Sequence, residues 1–354
     1  MCAGAGRITG RKTAAGERNA AKMKMKVGRM PHGPNNLITD VPGVRVGHCT
    51  VDEGNVHTGV TVVMPPCANP YTEKLTAASC VMNGYGKTLG LVQMEELGTL
   101  ETPIALTNTL NVGRVHDAMV SYMLGLCQRD GIRLTSVNPV VCECNDSHMN
   151  EIAKRAVGEK EVFSAIETAS VCFAQGAVGA GRGTTCYGMK GGIGSASRVM
   201  ELDGKTYTMG VLVQSNYGAS ADFRTAALPE NLAENDQGSI ILIVATDLPL
   251  SFRQLKRVLR RCSVGMARLG SYIGHGSGEI AVGFTTAKRK ETGSFQTQRM
   301  LMEEKMNIPF RAVGECAEEA ILQSLWNAEP DRGLDGKAIP SLKQYLRKIQ
   351  PAGK

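Results

Sequence analysis

Residues 236–246 read Asp-Gln-Gly-Ser-Ile-Ile-Leu-Ile-Val-Ala-Thr, and they indicate the class of fold. Their continuous apolar run predicts a strand buried on both faces, because a half-exposed strand alternates apolar and polar residues. Beyond Pro249, apolar residues at helical spacing predict a helix from near Ser251 to Gly270, where glycine suits the C-terminal cap. A buried strand followed by an amphipathic helix indicates an α/β or α+β protein with layered sheets and helices.

Other segments on either side of this pair fit the same class. Short apolar or β-branched runs between turn residues predict strands at residues 59–64, 103–109, 207–214 and 280–286. Helical spacing predicts helices at residues 115–127, 150–157 and 314–326. No fixed-period repeat and no Ser/Gly-rich linker divides the chain after residue 31. We therefore expect one domain.

The composition excludes several classes of protein. No apolar stretch approaches the ~18 residues that span a bilayer, so we expect no membrane partner. Aromatic residues make up only 5% of the chain, which argues against a stacking platform for nucleic acid. The net charge of +7 lies entirely in residues 1–31, which hold eight basic residues and one acidic residue. The rest of the chain is neutral and is not expected to present a basic binding face.

The N-terminal segment and the cysteines bear on the compartment. Residues 1–31 lack the apolar run of a secretory signal, so we expect a disordered extension, with an organelle transit peptide as the alternative. Eleven cysteines form an odd and sparse set, which indicates reduced thiols in a cytoplasmic protein. Cys142, Cys144 and His148 lack a second Cys/His pair at useful spacing. We expect neither a metal nor a cofactor.

The Gly238–Ser239 bond lies where a polar loop meets the apolar strand. One interpretation is an ordinary serine at the start of a strand. The other is a self-cleaving nucleophile, in which the Ser239 hydroxyl attacks the preceding carbonyl and hydrolysis then frees a new α-amino group. Glycine before the serine suits this, since it tolerates strained backbone. An α-amino group has a pKa near 7.7–8.0, so it can act as a base at neutral pH.

Two further glycine-rich segments were compared with known motifs. Residues 84–88 (Gly-Tyr-Gly-Lys-Thr) end like a phosphate-binding loop, but Val81 stands where that loop needs glycine. Residues 179–198 hold seven glycines within sixteen residues, which fits either a cluster of turns or the wall of a ligand site. Lys190 is the cation there that could reach an enclosed pocket.

Residues 274–279 (Gly-His-Gly-Ser-Gly-Glu) resemble a nucleophile elbow in which the serine is out of register. A conventional serine-hydrolase triad is therefore disfavoured. Ser277 and Glu279 are two positions apart in an extended segment, so they point to the same side and can orient a nearby amine or hydroxyl.

Five ordered motifs together resemble one known family. They are residues 42–48 (Pro-Gly-Val-Arg-Val-Gly-His), 107–109 (Thr-Asn-Thr), 190–194 (Lys-Gly-Gly-Ile-Gly), 234–239 (Glu-Asn-Asp-Gln-Gly-Ser) and 276–279 (Gly-Ser-Gly-Glu). The chain resembles the DmpA-like self-processing aminopeptidases, whose relatives include β-peptidyl aminopeptidases and a nylon-oligomer hydrolase. The resemblance covers roughly residues 33–350 and implies a four-layer αββα sandwich, shared with ornithine acetyltransferases.

The resemblance also implies how the chain is processed. Cleavage between Gly238 and Ser239 would divide the single domain into a larger chain, residues 32–238, and a smaller chain, residues 239–354, behind the extension of residues 1–31. The two chains would stay together in a homo-oligomer of heterodimers. The implied activity is release of N-terminal residues from small peptides, amino-acid amides or esters.

Catalytic roles follow from the resemblance residue by residue. Ser239 is the implied nucleophile and its new amine the base, Ser277 and Glu279 support that amine, and Asn216 donates to the oxyanion. For substrate binding, the resemblance implies Lys190, Glu143 and Asn145.

Glu143 matches the family's carboxylate for the substrate's amino group. It follows the apolar run at residues 139–141, with Asp146 as the nearest rival and a purely structural acidic turn as the alternative. Asn145 stands where the family often has an aromatic residue, so either its amide donates to the oxyanion or the pocket is more open.

Two other functions remain open at this point. An acyltransferase of the ornithine-acetyltransferase type would use the same fold, although that family uses threonine as its nucleophile and Ser239 favours the hydrolase. A non-catalytic, uncleaved homologue is the other alternative.

Overall fold

The computed structural model describes residues 27–224 and 237–349. Most of the predicted N-terminal extension lies outside these residues, as do residues 234–236 of the processing motif. The strands are β1 (Arg45–Glu53), β2 (Val56–Met64), β3 (Leu75–Gly84), β4 (Thr99–Leu100), β5 (Ile104–Asn108), β6 (Val140–Cys144), β7 (Thr185–Cys186), β8 (Met189–Lys190), β9 (Gly192–Leu202), β10 (Lys205–Asn216), β11 (Gln237–Thr246), β12 (Gly276–Thr285), β13 (Lys290–Thr292), β14 (Phe295–Thr297), β15 (Asp331–Arg332) and β16 (Ala338–Ile339). The helices are α1 (Leu91–Leu97), α2 (Val112–Arg129), α3 (Glu159–Glu167), α4 (Phe252–Leu259), α5 (Cys262–Arg268), α6 (Asn307–Trp326) and α7 (Leu342–Ile349).

Two sheets form the middle of the molecule. The first has the strand order β1-β2-β5-β6, and the second has the order β4-β3-β12-β11-β10-β9. In the second sheet, β11 runs parallel to β12 and antiparallel to β10. A parallel pair needs a crossover connection, and α4 and α5 supply it. Strands β11 and β12 thus occupy the centre of the second sheet.

Strand β11 is buried on both faces, as its apolar run predicts. Ile240, Leu242 and Val244 belong to the core between the second sheet and its helices. Ile241 and Ile243 belong to the core between the two sheets. Full burial of one such side chain contributes about 1.5–3 kcal/mol, so this strand anchors both layers.

Helices cover the outer face of each sheet. Apolar residues of α2 and α3 pack on the first sheet in a third core. Helices α4, α5 and α6 pack on the outer face of the second sheet. The order of layers is therefore helix, sheet, sheet, helix, which confirms the four-layer αββα architecture.

The helix after β11 begins as predicted but is interrupted. The Ser251 hydroxyl accepts a hydrogen bond from the Gln254 backbone N–H, and the Gln254 side chain accepts one from the Ser251 N–H in return. This capping box fixes the start of α4. The helix then breaks at Arg260 and Arg261, so residues 252–268 form two helices instead of one. Gly270 follows α5 with φ +105°, a conformation that favours glycine.

The helix predicted over residues 150–157 is wrong. Only a single turn, Ile152–Lys154, forms there, and it ends at Arg155 with a left-handed φ of +48°. The regular helix, α3, starts after Gly158, whose N–H donates to the Glu161 side chain.

Several strand ends meet at one edge of the two sheets. Strands β3, β6 and β10 end there, and β11 and β12 begin there. Residues from all five strand ends or the segments beside them line one cavity. Across residues 27–224 and 237–349, no helix combines the length and apolarity that a bilayer crossing requires.

Candidate active site

Ser239 lies near the start of β11 on the wall of a cavity of about 910 Å³. Its neighbour Gly238 has φ +140°, where side chains other than hydrogen are strained. A Cβ atom at residue 238 would also lie 2.1 Å from the carbonyl oxygen of Asn216. The backbone before Ser239 therefore requires glycine both for its conformation and for its space.

Strand pairing surrounds the Gly238–Ser239 bond with the predicted residues. Gly238 lies opposite Ser277, and Ser239 lies opposite Gly278 on one side and Asn216 on the other. Glu279 follows on the same strand as Ser277, and both side chains are fully buried. The Ser277 hydroxyl has no hydrogen-bond partner among the described residues. A buried hydroxyl with unused bonding capacity thus sits on the strand beside the bond.

The Asn216 side chain is held in one orientation. Its Oδ1 accepts a hydrogen bond from the Thr185 backbone N–H at 3.1 Å, and its Nδ2 donates to the Asn145 carbonyl oxygen at 2.8 Å. An amide nitrogen carries two hydrogens, so one remains for another acceptor. Asn216 lines the cavity with Ser239. The remaining N–H of a side chain held in this way is available to an acceptor in the cavity.

Glu143 reaches the cavity from the end of β6 in the other sheet. Its Oε1 accepts from the Lys87 backbone N–H at 3.0 Å, and its Oε2 accepts from the Thr109 hydroxyl. The side chain is buried, and no basic side chain among the described residues forms an ion pair with it. A carboxylate has about four acceptor sites, so it can still receive a cation from the cavity.

Asn145 and Asp146 differ sharply in their surroundings. Asn145 is exposed on the cavity wall, and its Oδ1 accepts from the Ser147 backbone N–H at 3.0 Å. Asp146 is buried away from the cavity lining and accepts from Thr58 at 2.6 Å and from Asn150 at 2.9 Å. Burial raises the pKa of the Asp146 carboxyl to about 6. Of the two acidic rivals, Glu143 is the one that faces the cavity.

Lys190 is fully buried and does not belong to the cavity lining. Its Nζ donates to the carbonyl oxygens of Thr184 at 2.7 Å, Gly191 at 2.9 Å and Gly181 at 3.2 Å. Burial, followed by the nearby Arg182 charge, lowers the pKa of the ammonium to about 7. Three backbone acceptors use all three donors of the charged form. The lysine thus ties together the glycine-rich segment behind Thr185.

Several cavity residues were not identified from the sequence. They are Tyr85, Lys87, Thr109, Thr185, Tyr272 and His275. Tyr85 and Lys87 belong to residues 84–88, which do not form a complete phosphate-binding loop. Thr109 belongs to the Thr-Asn-Thr motif of residues 107–109, for which the sequence suggested no role. Across the described residues, no group of three or more His, Cys, Asp or Glu side chains is arranged to hold a metal ion.

The chain is similar in sequence to known peptidases. The profile of peptidase family S58 matches residues 36–339. The chain is 37% identical over 345 residues to the beta-peptidyl aminopeptidase BapA of Sphingosinicella microcystinivorans, covering 88% of this chain and 86% of that protein.

Solved structures give the same result. A protein from Pyrococcus horikoshii OT3 matches with a TM-score of 0.85 and 44% identity, over 92% of this chain and 96% of that one. The L-aminopeptidase D-Ala-esterase/amidase of Ochrobactrum anthropi, a prototype of the serine aminopeptidases with a variant Ntn hydrolase fold, matches with a TM-score of 0.83 and 32% identity. That match covers 91% of this chain and 95% of the other.

These matches confirm the resemblance stated from the five motifs, and they favour the hydrolase over the acyltransferase. The profile and the relatives each cover most of the chain. The chain belongs to peptidase family S58 and is a hydrolase of the N-terminal-nucleophile type.

Proposed function

We propose that the chain cuts itself between Gly238 and Ser239 and then works as a serine aminopeptidase on small peptides, amino-acid amides or esters. The observation that carries this proposal is the glycine-only backbone at residue 238, directly before Ser239 at the cavity wall. The products would be a larger chain ending at residue 238, with its body at residues 32–238, and a smaller chain of residues 239–354.

Self-cleavage proceeds by an acyl shift. The Ser239 hydroxyl attacks the Gly238 carbonyl carbon, the bond from that carbon to the Ser239 nitrogen breaks, and an ester forms. Water then cleaves the ester, which leaves a carboxylate on Gly238 and a free amine and hydroxyl on Ser239. Glycine can hold the φ of +140° found at residue 238, a conformation that residues with a Cβ rarely adopt.

In turnover, the new amine takes the proton from the Ser239 hydroxyl as that hydroxyl attacks the substrate carbonyl. The second hydrogen of Asn216 Nδ2 stabilises the oxyanion. The proton passes to the leaving amine or alcohol, and water then hydrolyses the acyl ester. Ser277 and Glu279 accept from or donate to the amine, and the unused bonding capacity of the Ser277 hydroxyl supports this role.

We assign substrate recognition to Glu143, which receives the substrate's free ammonium. A charged amine entering a cavity loses hydration, and a carboxylate compensates for that loss. The buried position of Glu143 supports this role. Asn145 contributes to the wall beside it. Lys190 acts from behind the wall by fixing the segment that carries Thr185, the partner of Asn216.

The single most informative experiment is intact mass measurement of the purified protein. Wild type should yield a smaller chain that begins at Ser239, and Ser239→Ala should remain one chain with the same circular dichroism spectrum. A wild type that turns over substrate while its chain remains whole would overturn the proposal.

We further propose a homo-oligomer and a cytoplasmic enzyme. Exposed apolar side chains on β3 and α1, including Val81, Val92 and Leu97, support a contact between copies. Nine cysteines in the described residues are free thiols, which suits a reducing compartment, whereas Cys172 is disulfide-bonded, contrary to the expectation that the thiols are reduced. Light scattering should therefore give a mass above one processed heterodimer, and Val92→Glu should lower it. Fractionation of the producing cells tests the compartment.

A further inference from the structure

The cavity holds two charged side chains of opposite sign among its described lining residues. One is Glu143, which is buried, and the other is Lys87, which is exposed nearer the mouth. They come from different sheets, since Lys87 follows β3 and Glu143 lies next to last in β6. The proposed function gives Glu143 a partner in the substrate but leaves Lys87 without one.

Lys87 is held close to the site of the substrate amine. Its backbone N–H donates to Glu143 Oε1 at 3.0 Å, so its main chain borders the carboxylate. Its ammonium lies 5.5 Å from the centroid of the Tyr85 ring, and that ring lies 6.4 Å from the His275 ring. All three side chains line the cavity. The Lys87 ammonium therefore stands, solvent-exposed, over the Tyr85 ring at the rim of the cavity.

No carboxylate among the described residues forms an ion pair with the Lys87 ammonium. Other lysines that lie over aromatic rings do have acidic partners. Lys74 pairs with Glu101, and Lys343 pairs with Glu329. The charge of Lys87 is thus available to a group that enters the cavity.

A dipeptide carries the two charges that match this pair. Its ammonium and its carboxylate stand about two residue lengths apart, roughly 7 Å when extended. Glu143 receives the ammonium at the buried end, so the carboxylate of the leaving residue points outward. The long stem of lysine, rooted beside Glu143, spans a comparable distance toward the mouth.

We propose that Lys87 binds the free carboxylate of the leaving residue, so that the enzyme prefers zwitterionic dipeptides to C-terminally blocked substrates. This inference rests on the proposed function, because it needs Glu143 to hold the ammonium. It names Lys87 as a specificity-determining residue that acts in binding and takes no part in proton transfer. The interaction lies at the cavity mouth and is therefore weakened by salt.

The experiment compares free dipeptides with their C-terminal amides. The probes are L-alanyl-L-alanine and β-alanyl-L-alanine, each as acid and as amide. Wild type should turn over the preferred acid with a kcat/KM roughly 5- to 20-fold above its amide, mostly through KM. The ratio should fall as salt rises.

Three variants identify the cause. Lys87→Met keeps the stem without the charge and should bring the acid-to-amide ratio close to one, while Lys87→Arg should retain most of the preference. Lys343→Met removes another lysine that lies over a ring but outside the cavity lining, and it should leave the ratio unchanged. Mass spectrometry must show that each variant is cut at Ser239.

Several outcomes overturn the inference while the proposed function stands. These are equal rates on acid and amide in a processed wild type, an unchanged ratio in Lys87→Met, and turnover of amino-acid p-nitroanilides without turnover of either free dipeptide. A second comparison uses glutamic acid α-amide and glutamine amide, which differ only in the side-chain carboxylate. If Lys87→Met alters only the ratio of rates on these two substrates, Lys87 binds a carboxylate on the acyl residue, and the inference is overturned too. An uncut wild type without activity on any probe would instead overturn the proposed function, and this inference with it.

Discussion

The Sγ atom of Cys144 donates a hydrogen bond to the carbonyl oxygen of Ser239 across 3.4 Å. This contact joins the last residue of β6 in the first sheet to the start of β11 in the second. Burial raises the pKa of the Cys144 thiol well above its usual value. A thiol thus lies directly behind the proposed nucleophile in its unreactive form.

We predict that thiol reagents leave the native enzyme active, because the thiolate is the reactive species and burial suppresses it. Iodoacetamide treatment followed by a rate assay and peptide mass mapping measures this. The half-buried thiol of Cys49 should be alkylated and Cys144 should not. Loss of activity in step with Cys144 alkylation would contradict the prediction.

Replacement of Asn216 should mainly affect the chemical step. Asn216→Ala removes the fixed amide donor and should lower kcat roughly 10²- to 10³-fold with little change in KM. Asn145→Ala compares the two amides, since Asn216 bonds only the backbone carbonyl of Asn145, and it should lower kcat less than Asn216→Ala does. Rates must be compared on fully processed protein, because the same donor would serve self-cleavage. A normal kcat in processed Asn216→Ala would remove it from the mechanism.

Glu143→Gln tests recognition of the amino group. The amide keeps an oxygen for the Lys87 N–H and a nitrogen for the Thr109 hydroxyl, so the local bonds survive without the charge. We expect kcat/KM on amino-acid amides to fall by a factor that corresponds to about 2–3 kcal/mol of transition-state binding energy. The slow rate on the N-acetylated analogue should hardly change. An equal proportional loss of kcat/KM on both substrates would show that Glu143 does not bind the substrate ammonium.

Gly238→Ala should block processing or destabilise the fold. The methyl group would meet the Asn216 carbonyl at 2.1 Å and would force an unfavourable φ. Gly54→Ala is the control, because Gly54 has φ +56° but no atom within 4 Å of an added Cβ. Intact mass reports cleavage, and thermal unfolding reports stability. Normal cleavage of a stable Gly238→Ala protein would show that glycine is not required before Ser239.

Asp146 should make stability depend on pH in an unusual direction. Its carboxyl pKa is raised from 3.8 to about 6, so its contribution to stability is complete below about pH 4 and is lost as the pH rises through 6. Asp146→Asn does not titrate. The free energy of unfolding of Asp146→Asn, relative to the parent, should therefore rise between pH 4 and 6, by up to about 3 kcal/mol.

Both proteins should carry Ser239→Ala, so that each unfolds as one chain. Exposed Asp117→Asn controls for the loss of a negative charge. A flat difference across this pH range would show that Asp146 is not perturbed by its surroundings.

The sequence was most informative where one local pattern determines the structure. The run after Ser239 is short, rich in β-branched residues and apolar at every position, which is the pattern of a strand between two cores. Ser251 with Gln254 is a complete capping box, so the start of α4 was also predictable. The break at Arg260 and Arg261 was not, because apolar residues continue at helical spacing across it.

The errors occurred where tertiary contacts decide the outcome. Residues 150–157 have helical spacing, but the Asn150 side chain bonds Asp146 and the chain turns at Arg155. Lys190 lies in a glycine-rich segment as expected, yet its charge is satisfied by that segment's own carbonyls instead of facing the cavity. The sequence does not identify Tyr85 and Lys87 as cavity residues, since only the folded chain brings them close to Glu143.

The order of strands in the second sheet determines how the protein would refold after a cut at Ser239. Strands β11 and β12 of the smaller chain lie between β3 and β10 of the larger one. Uncut protein refolds in a first-order reaction, but the two separated chains must meet again, which makes refolding second order and slow in dilute solution. After cleavage, the two chains would stay associated as long as the complex is folded. Once the complex has unfolded completely at low protein concentration, its loss would be close to irreversible.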